Sequence, residues 1–358
     1  MPSKNLLTNK INRLYYARED NVPLPQVVMI EPTNICNLKC SMCYVQQHIK
    51  TQNSLSLEDF RMIINQFPRI NELILCGIGE PFLNKNLFQM IDYAKNKGIS
   101  FINLVTNGKL LSEDVSENIV RSKISRIQIS VHSFNLEIFK KIRNEDGANL
   151  EVLKDNIRRL IAIKRKSNSQ LEICCNAVVN KFNYSELTDF IRNSKELGAD
   201  RVEFIQMTTA NDSLKDVNAP LEFMANLAKD VRNYARDLKI EVSFLSGNYY
   251  GRCYQLWDFI MIHADGRISP CNGIFPTENI GVGNVFVDKV EEVWNSEKYI
   301  ALRRSVIEGE LKNCKFCESG YCLEGKDLRW FRNYYFRPLK RKIRKSPFIC
   351  KFRKFFKL

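Results

Sequence analysis

Three cysteines stand close together near the start of the chain, at Cys36, Cys40 and Cys43, just after the apolar run Val27 to Ile30. Thiolates are the usual protein ligands of iron-sulfur clusters, and a structural zinc or a four-iron cluster held entirely by protein would need four of them. No fourth cysteine is nearby in the sequence. The three thiols therefore predict a metal centre with one coordination position open to another ligand.

The spacing of these thiols, Cys-x3-Cys-x2-Cys followed by Tyr44, resembles the signature of the radical S-adenosylmethionine (radical SAM) superfamily. The resemblance implies a [4Fe-4S] cluster whose open iron binds SAM, and reductive cleavage of SAM to a 5'-deoxyadenosyl radical that abstracts hydrogen from a substrate. It also implies that Met42 and Tyr44 lie near the cofactor, where a thioether can pack on the adenine ring. The alternatives are a structural zinc loop or three buried cysteines without metal.

A glycine-rich segment follows the second apolar run and resembles the superfamily's GGEP motif. The resemblance implies that Gly77, Gly79, Glu80 and Pro81 contact SAM. Glycine lets the backbone approach a ligand closely, and the Glu80 carboxylate suits the ammonium group of SAM. Taken alone, the same segment reads as a turn.

Polar residues also end the third and fourth apolar runs, at Asn107, Ser130 and His132. Similarity to family positions implies that they lie around SAM, with Ser130 and His132 near its ribose hydroxyls or carboxylate. His132 could equally be a strand-end histidine that is satisfied by local hydrogen bonds. No residue is assigned a catalytic role.

The elements that must position these residues are indicated by apolar runs alternating with segments of helical periodicity. The predicted strands are Val27 to Glu31, Glu72 to Cys76, Phe101 to Thr106, Arg126 to Val131, Leu171 to Val179 and Arg201 to Gln206. Repeated strand-helix units indicate a parallel sheet, and chemistry is expected at the carboxyl ends of its strands. The resemblance implies an α/β fold: a partial (β/α)6 TIM-like barrel with a small C-terminal SPASM/twitch-like cluster domain and a basic tail.

The intervening helices are predicted at Leu57 to Phe67, Leu87 to Asn96, Asp114 to Arg121, Leu150 to Lys166, Ser185 to Glu196 and Leu221 to Leu238, with Gly98 and Gly198 placed where helices would end. We expect residues 1–22 to form an N-terminal extension, 23–238 the radical SAM core, 239–328 the cluster domain and 329–358 the tail. Cys76, Cys174 and Cys175 fall within apolar runs and are predicted to be core residues.

A second set of cysteines follows Leu238: Cys253, Cys271, Cys314, Cys317, Cys322 and Cys350. An Asp265-Gly266 turn predicts a hairpin that carries Cys271 back toward Cys253. The region resembles the SPASM and twitch extensions of radical SAM enzymes. Six cysteines are too few for two fully protein-bound clusters, so one auxiliary [4Fe-4S] cluster is expected on Cys253, Cys271, Cys314 and Cys317, with Cys322 and Cys350 in reserve. Zinc at this second site is the alternative.

The charge of the chain is concentrated at its C-terminal end. Of the formal net charge of +14, twelve positive charges and no negative ones lie between Arg329 and Leu358, and aromatic residues are interleaved with them. This pattern predicts docking on an anionic membrane surface; nucleic-acid binding and a solvated helix are the alternatives. No apolar stretch reaches the ~20 residues of a membrane span and no secretory signal is evident, so we expect a cytoplasmic protein, peripheral at the inner face of the membrane.

The substrate is the least determined feature. The tail favours a lipid-linked or cell-surface sugar, so the sequence-based expectation leans toward oxidation or modification of a carbohydrate or aminocyclitol. The alternatives are modification of a peptide or protein, and a non-catalytic iron-sulfur or nucleic-acid-binding protein. An electron donor such as flavodoxin or ferredoxin is implied by the resemblance.

Overall fold

A computed structural model describes residues 18–43, 51–207, 217, 221–245, 252–253, 255–270, 282–308 and 322–323. Seven strands alternate with helices in the first part of the chain: β1 Val27–Ile30, β2 Glu72–Leu75, β3 Phe101–Thr106, β4 Arg126–Ser130, β5 Glu172–Val179, β6 Arg201–Gln206 and β7 Glu241–Leu245. Five further strands follow: β8 Arg252–Cys253, β9 Phe259–Ile262, β10 Arg267–Ser269, β11 Gly283–Asn284 and β12 Cys322–Leu323.

Ten of these strands form one sheet in the order β11-β10-β9-β1-β2-β3-β4-β5-β6-β7. Strands β1 to β7 are paired in parallel, in chain order. β9 lies parallel to the other side of β1, and β10 and β11 extend the sheet in antiparallel fashion. The strand that leads into the cysteine segment is therefore flanked on both sides, with β2 and β9 as its neighbours.

The helices between the strands are α1 Leu57–Asn65, α2 Leu87–Asn96, α3 Glu113–Arg121, α4 Leu136–Arg143, α5 Gly147–Lys166, α6 Leu187–Leu197 and α7 Leu221–Asp237; the last part of the described chain adds α8 Gln255–Asp258, α9 Val290–Trp294 and α10 Glu297–Ile307. Their ends follow from local chemistry. Ser56 and Asp59 form a reciprocal capping box at the start of α1. Gly198, with a φ of 94°, ends α6 in the left-handed conformation that glycine adopts without strain.

The two faces of the sheet differ in chemistry. On the convex face the strand side chains pack against the helices in one large apolar core, which includes Ile30, Leu75, Leu104 and Ile129. The concave face carries a polar lower layer, in which Asn103, Gln128, Asn176 and Glu203 are all buried. Its upper layer, at the strand ends, is only half-buried: Cys76, Val105, Ser130, Val178 and Ile205. The concave side is thus filled below and accessible above, at the carboxyl ends of the strands.

The predicted partial barrel and its six strands are confirmed, with ends that differ by one residue at most. Of the strands and helices named above between residues 18 and 245, two were not predicted: α4 and β7. β7 begins after Leu238 and pairs with β6, so the parallel sheet continues beyond the predicted core; the domain boundaries themselves stay predictions. The predicted hairpin is present as β9 and β10, with Gly266 at a φ of 82° in its turn.

The three core cysteines fall in two environments. Cys174 and Cys175 are buried as predicted, whereas Cys76 is half-buried on the concave face. No helix in the described part of the chain is both long and apolar enough to cross a bilayer.

Candidate cluster and cofactor site

Residues 31–43 follow β1 and carry the three cysteines; we call them the cysteine loop. The loop is held by the end of α4. The backbone N–H of Ser41 donates to the Ile142 carbonyl at 2.9 Å, and its hydroxyl donates to the Lys141 carbonyl at 2.6 Å. Within the loop, the Cys43 N–H donates to the Cys40 carbonyl at 3.0 Å. A helix one hundred residues along the chain therefore fixes the turn that carries the second and third thiols.

The three thiols lie near enough to influence one another's ionisation. Burial raises the pKa of Cys40 to about 12; the positive charge of Arg143 opposes this, and the charges of Cys43 and Cys36 add to it. Burial also raises the pKa of Cys36, and Glu80 and Cys43 contribute in the same direction. All three are half-buried free cysteines. Their charges repel as thiolates, so a bound cation would be stabilised among them.

This donor set fits a cluster better than a single ion. In the described ranges, no three or more His, Cys, Asp or Glu side chains are arranged to hold one metal ion. A four-iron cluster takes each thiolate on a different iron, so its protein ligands need not converge on one point. Three free, mutually interacting thiols on one half-buried loop meet that requirement.

Residues 76–81, which follow β2 and are called the glycine loop below, pack directly on the cysteine loop. A Cβ atom at Gly79 would stand 2.2 Å from the Thr33 carbonyl oxygen and 2.5 Å from that of Ile35, so only glycine fits there. The backbone N–H of Glu80 donates to the Ile35 carbonyl at 2.8 Å. The glycine is therefore required by backbone contact between the two loops, in addition to any approach of a ligand.

Glu80 is 1% exposed, and its carboxylate is held at the end of β3. It accepts hydrogen bonds from the Thr106 hydroxyl and the Asn107 N–H, both at 2.7 Å, and from the Phe82 N–H at 3.3 Å. Burial raises the pKa of Glu80, and these hydrogen bonds oppose the rise. A carboxylate has about four acceptor positions, so about one is left for a further donor such as an ammonium group.

Asn107 joins the glycine loop to the cysteine loop. Its side-chain Nδ2 donates to Asn37 Oδ1 at 2.7 Å and lies 4.0 Å from the Sγ of Cys36. The residue predicted at the end of the third strand thus contacts the cysteine segment itself. Met42, between Cys40 and Cys43, is contacted by a different residue: the side-chain amide of Asn180 lies 3.6 Å from its sulfur.

His132 follows β4 with a φ of 68°, a conformation uncommon outside glycine. Its Nδ1 accepts a hydrogen bond from the Val178 N–H at 3.3 Å. Burial, followed by the charge of Arg143, lowers the pKa of His132 to about 3. The ring is neutral at physiological pH with its proton on Nε2, so His132 is locally satisfied on one side and a donor on the other. Neighbouring Ser130 is half-buried at the end of β4.

Arg143 is a central residue of the site that the sequence analysis missed. It is 1% exposed, and its Nη1 donates to the carbonyls of Asn107 at 2.9 Å and Ser130 at 2.7 Å. Its Nε pairs with Glu145 at 2.9 Å. The residue closes α4, an element that the sequence did not indicate; recognising this short amphipathic helix would have marked its last residue as facing the strand ends.

The second group of cysteines is described only in part. Cys253 and Cys322 are directly opposite each other in the antiparallel pair β8 and β12. Cys271, Cys314, Cys317 and Cys350 lie outside the described residues, as does Tyr44. Of the predicted ligands of the auxiliary cluster, the described residues therefore include only Cys253, together with the reserve candidate Cys322.

Comparison with known proteins identifies two domains in the chain. The family model of the radical SAM superfamily matches residues 30–192, and that of the SPASM iron-sulfur cluster-binding domain matches residues 253–319. The antilisterial bacteriocin subtilosin biosynthesis protein AlbA of Bacillus subtilis is 26% identical over 84% of this chain and 67% of its own length. A GTP 3',8-cyclase of Aquifex aeolicus is 27% identical over 78% of this chain and 93% of its own length.

The crystal structure of Streptococcus suis SuiB bound to its precursor peptide SuiA has the same fold. Its TM-score is 0.66 at 16% identity, over 84% of this chain and 71% of that one. The cysteine loop, the glycine loop and the strand ends all fall within the first family match, and the hairpin with Cys253 falls within the second. The chain therefore belongs to the radical SAM superfamily and carries a C-terminal SPASM domain, and it is an enzyme whose cofactors are SAM and [4Fe-4S] clusters.

Proposed function

We propose that this enzyme modifies a peptide or protein substrate by hydrogen abstraction. SAM and the reduced cluster together supply a 5'-deoxyadenosyl radical, the reagent implied by the superfamily. The observation that carries the proposal is the meeting of the cysteine loop, the glycine loop and the ends of β3 and β4 at the accessible upper layer of the concave face, above a filled polar layer. A substrate side chain can enter from above, while the buried layer limits access of water from below.

Cys36, Cys40 and Cys43 are the proposed ligands of the SAM-binding cluster. The proposed SAM contacts are the backbone of the glycine loop together with Glu80 for the ammonium group. His132 Nε2 and Ser130 are donors for ribose or carboxylate oxygens. The remaining proposed contacts with the cofactor are Met42, Tyr44, Gly77, Gly79, Pro81 and Asn107.

One auxiliary cluster is proposed on Cys253, Cys271, Cys314 and Cys317. The register of β8 and β12, in which Cys322 is directly opposite Cys253, supports Cys322 as a further candidate. Whether Cys322 is a ligand can be tested by measuring the iron content and the EPR signal of the auxiliary cluster in Cys322→Ser and Cys271→Ser variants. Loss of the signal in both variants would make Cys322 a ligand, and loss only in the second would remove it from the set.

A peptide substrate is favoured over a carbohydrate by the comparisons. AlbA acts in the biosynthesis of a bacteriocin, and SuiB was captured with a precursor peptide. The carbohydrate expectation depended on the basic tail alone. A nucleotide is the rival substrate class, since the GTP cyclase is similar over most of its length.

Anaerobic turnover tests the proposal. The reconstituted enzyme, with dithionite and SAM, would be given peptides encoded beside its gene, GTP, and a set of amino sugars in separate reactions. We expect 5'-deoxyadenosine above the substrate-free rate, with a mass change, only in a peptide reaction, and none with Cys40→Ala. A mass change of GTP or of a sugar, with unmodified peptides, would overturn the peptide assignment.

The basic tail is proposed to hold the enzyme at an anionic membrane surface. Each Lys or Arg near such a surface contributes about 1 kcal/mol, and interleaved aromatic residues can enter the headgroup region. We expect the full chain to sediment with phosphatidylserine vesicles and a chain lacking residues 337–358 to remain in the supernatant. Equal sedimentation of both, or tail-dependent binding of single-stranded RNA in place of vesicles, would reject the lipid assignment. The electron donor is proposed to be a flavodoxin or ferredoxin.

A further inference from the structure

Glu31 connects three segments that are far apart in the sequence. It is 2% exposed and follows β1 directly, shortly before Cys36. Its Oε1 accepts the backbone N–H of Ile78, in the glycine loop, at 2.6 Å. Its Oε2 accepts the backbone N–H of Ala264, in the turn after β9, at 3.1 Å. One buried carboxylate thus binds the glycine loop on one side and the β9–β10 hairpin on the other.

The hairpin side continues toward the auxiliary cysteines. His263 is 1% exposed, and its Nδ1 lies 3.7 Å from Glu31 Oε2. Its Nε2 is hydrogen-bonded to the hydroxyl of Ser269 at 2.7 Å. Ser269 is the last residue of β10, and the sequence continues through Pro270 to Cys271. A continuous set of contacts therefore leads from the glycine loop, through Glu31 and His263, to the strand that precedes Cys271.

These contacts leave the glycine loop little freedom to move independently. A Cβ atom at Gly77 would stand 2.4 Å from both the Cγ and the Oε1 of Glu31, so the loop backbone rests directly on this side chain. Both partners of the carboxylate are backbone N–H groups, and leaving either one buried without an acceptor costs about 1–3 kcal/mol. If ligand binding displaces the glycine loop, breaking its hydrogen bond to Glu31 would be costly. The displacement should therefore move Glu31, and with it the hairpin.

We infer that Glu31 is a positioning residue that couples SAM binding at the glycine loop to the auxiliary cluster at the hairpin. The inference rests on the proposed assignment of the glycine loop to SAM and of Cys271 to the auxiliary cluster. Coupling of this kind is reciprocal: if SAM changes the state of the hairpin, the hairpin changes the affinity for SAM by the same free energy.

The test measures the auxiliary cluster rather than turnover. The midpoint potential of its EPR signal would be recorded with and without S-adenosylhomocysteine, which cannot be cleaved, and the Kd of SAM would be measured on the oxidised protein. We expect the ligand to shift the potential in the unaltered enzyme. In Glu31→Gln the side-chain amide must turn its NH2 toward one of the two N–H groups, so the shift should disappear and the Kd should rise about fivefold or more.

Two further variants separate coupling from damage to the fold. Ser269→Ala removes the hydrogen bond between Ser269 and His263 and leaves the glycine loop unaltered. We expect this variant to diminish the ligand-induced shift in potential. Glu72→Gln is the matched control, because Glu72 is also a buried carboxylate on the concave face (4% exposed), but the groups that act on it are Asn103, Arg126 and Glu203, which lie in β3, β4 and β6. Both readouts should be unchanged.

An enzyme that binds SAM and holds both clusters but shows no ligand-induced shift would overturn the coupling. So would a Glu31→Gln variant that retains the shift. Failure of the unaltered enzyme to bind SAM or to hold a second cluster would instead count against the proposed cofactor sites, and a failure limited to peptide turnover would leave the coupling intact.

Discussion

The Nη1 of Arg143 donates a hydrogen bond of 2.7 Å to the carbonyl oxygen of Ser130, which joins the last residue of α4 to the last residue of β4. The same guanidinium carries a positive charge that favours the thiolate of Cys40. A buried cation therefore lies beside the cysteine loop, where electron density increases when a cluster is reduced. Its contact with the strand end fixes that charge in place.

Replacing this cation should make the SAM-binding cluster harder to reduce. We expect Arg143→Gln to lower the midpoint potential of the cluster by tens of millivolts, where ~59 mV corresponds to a tenfold change for one electron. Arg143→Lys keeps the charge but not the two-carbonyl geometry, so it should recover most of the potential. Redox titration followed by EPR gives the values; equal potentials in the glutamine variant and the unaltered enzyme would contradict the expected role of the charge.

Gly79→Ala should disrupt the contact between the two loops. The new methyl group would collide with the carbonyl of Thr33, 2.2 Å away, so the glycine loop must shift. We expect the Kd of SAM to rise at least tenfold, as measured by equilibrium dialysis. Gly98→Ala is the control: at a φ of 81° with nothing within 4 Å, it should cost about 1 kcal/mol of stability and leave SAM binding unchanged. Equal SAM affinity in both variants would refute the steric argument.

Glu72 should make the stability of the fold depend on pH. Burial raises its pKa from 4.5 to about 8, so the folded state holds the proton more tightly than the unfolded chain. The contribution is fully present below the unfolded pKa and is lost as pH rises through the folded one. Between pH 6 and 9 the unaltered protein should lose about 2–3 kcal/mol relative to Glu72→Gln, by urea unfolding. Glu117→Gln alters an exposed carboxylate (51% exposed) and should keep the slope of the unaltered protein.

The cluster count follows from the two sets of cysteines. We expect about eight irons in the reconstituted protein and about four after Cys36, Cys40 and Cys43 are all changed to alanine, since each four-iron cluster is lost as a unit. Iron and acid-labile sulfide analysis provides the numbers. About four irons in both proteins would show that only one of the two proposed sites holds a cluster.

The sequence predicted those strands and helices whose pattern of apolar residues is contained within one segment of the chain. The six predicted strands are short runs rich in apolar and β-branched residues, and long helices such as α5 repeat their periodicity over several turns. α4 has eight residues, too few turns for a clear period. The place of β9 beside β1 could not be foreseen, because parallel pairing over more than two hundred residues leaves no local signature.

The residues of the site likewise differ in whether their role can be recognised from neighbouring residues in the sequence. Cys36, Cys40, Cys43 and the glycine loop were identified because their spacing is itself the motif. Arg143 and Glu31 were not, because their importance lies in partners distant in sequence: Glu31 reads as the last residue of a strand until Ala264 is placed against it. The half-buried position of Cys76 likewise depends on which face of the sheet it occupies.

The pairing of β9 with β1 also bears on how the protein is assembled during synthesis. Until residues 259–262 have left the ribosome, β1 has an unpaired edge, with backbone donors and acceptors open to other chains. The strand that presents the cysteine loop is completed only by a segment made much later. Chains truncated before Phe259 should therefore aggregate through β1, and iron should be inserted stably only after translation has passed the hairpin.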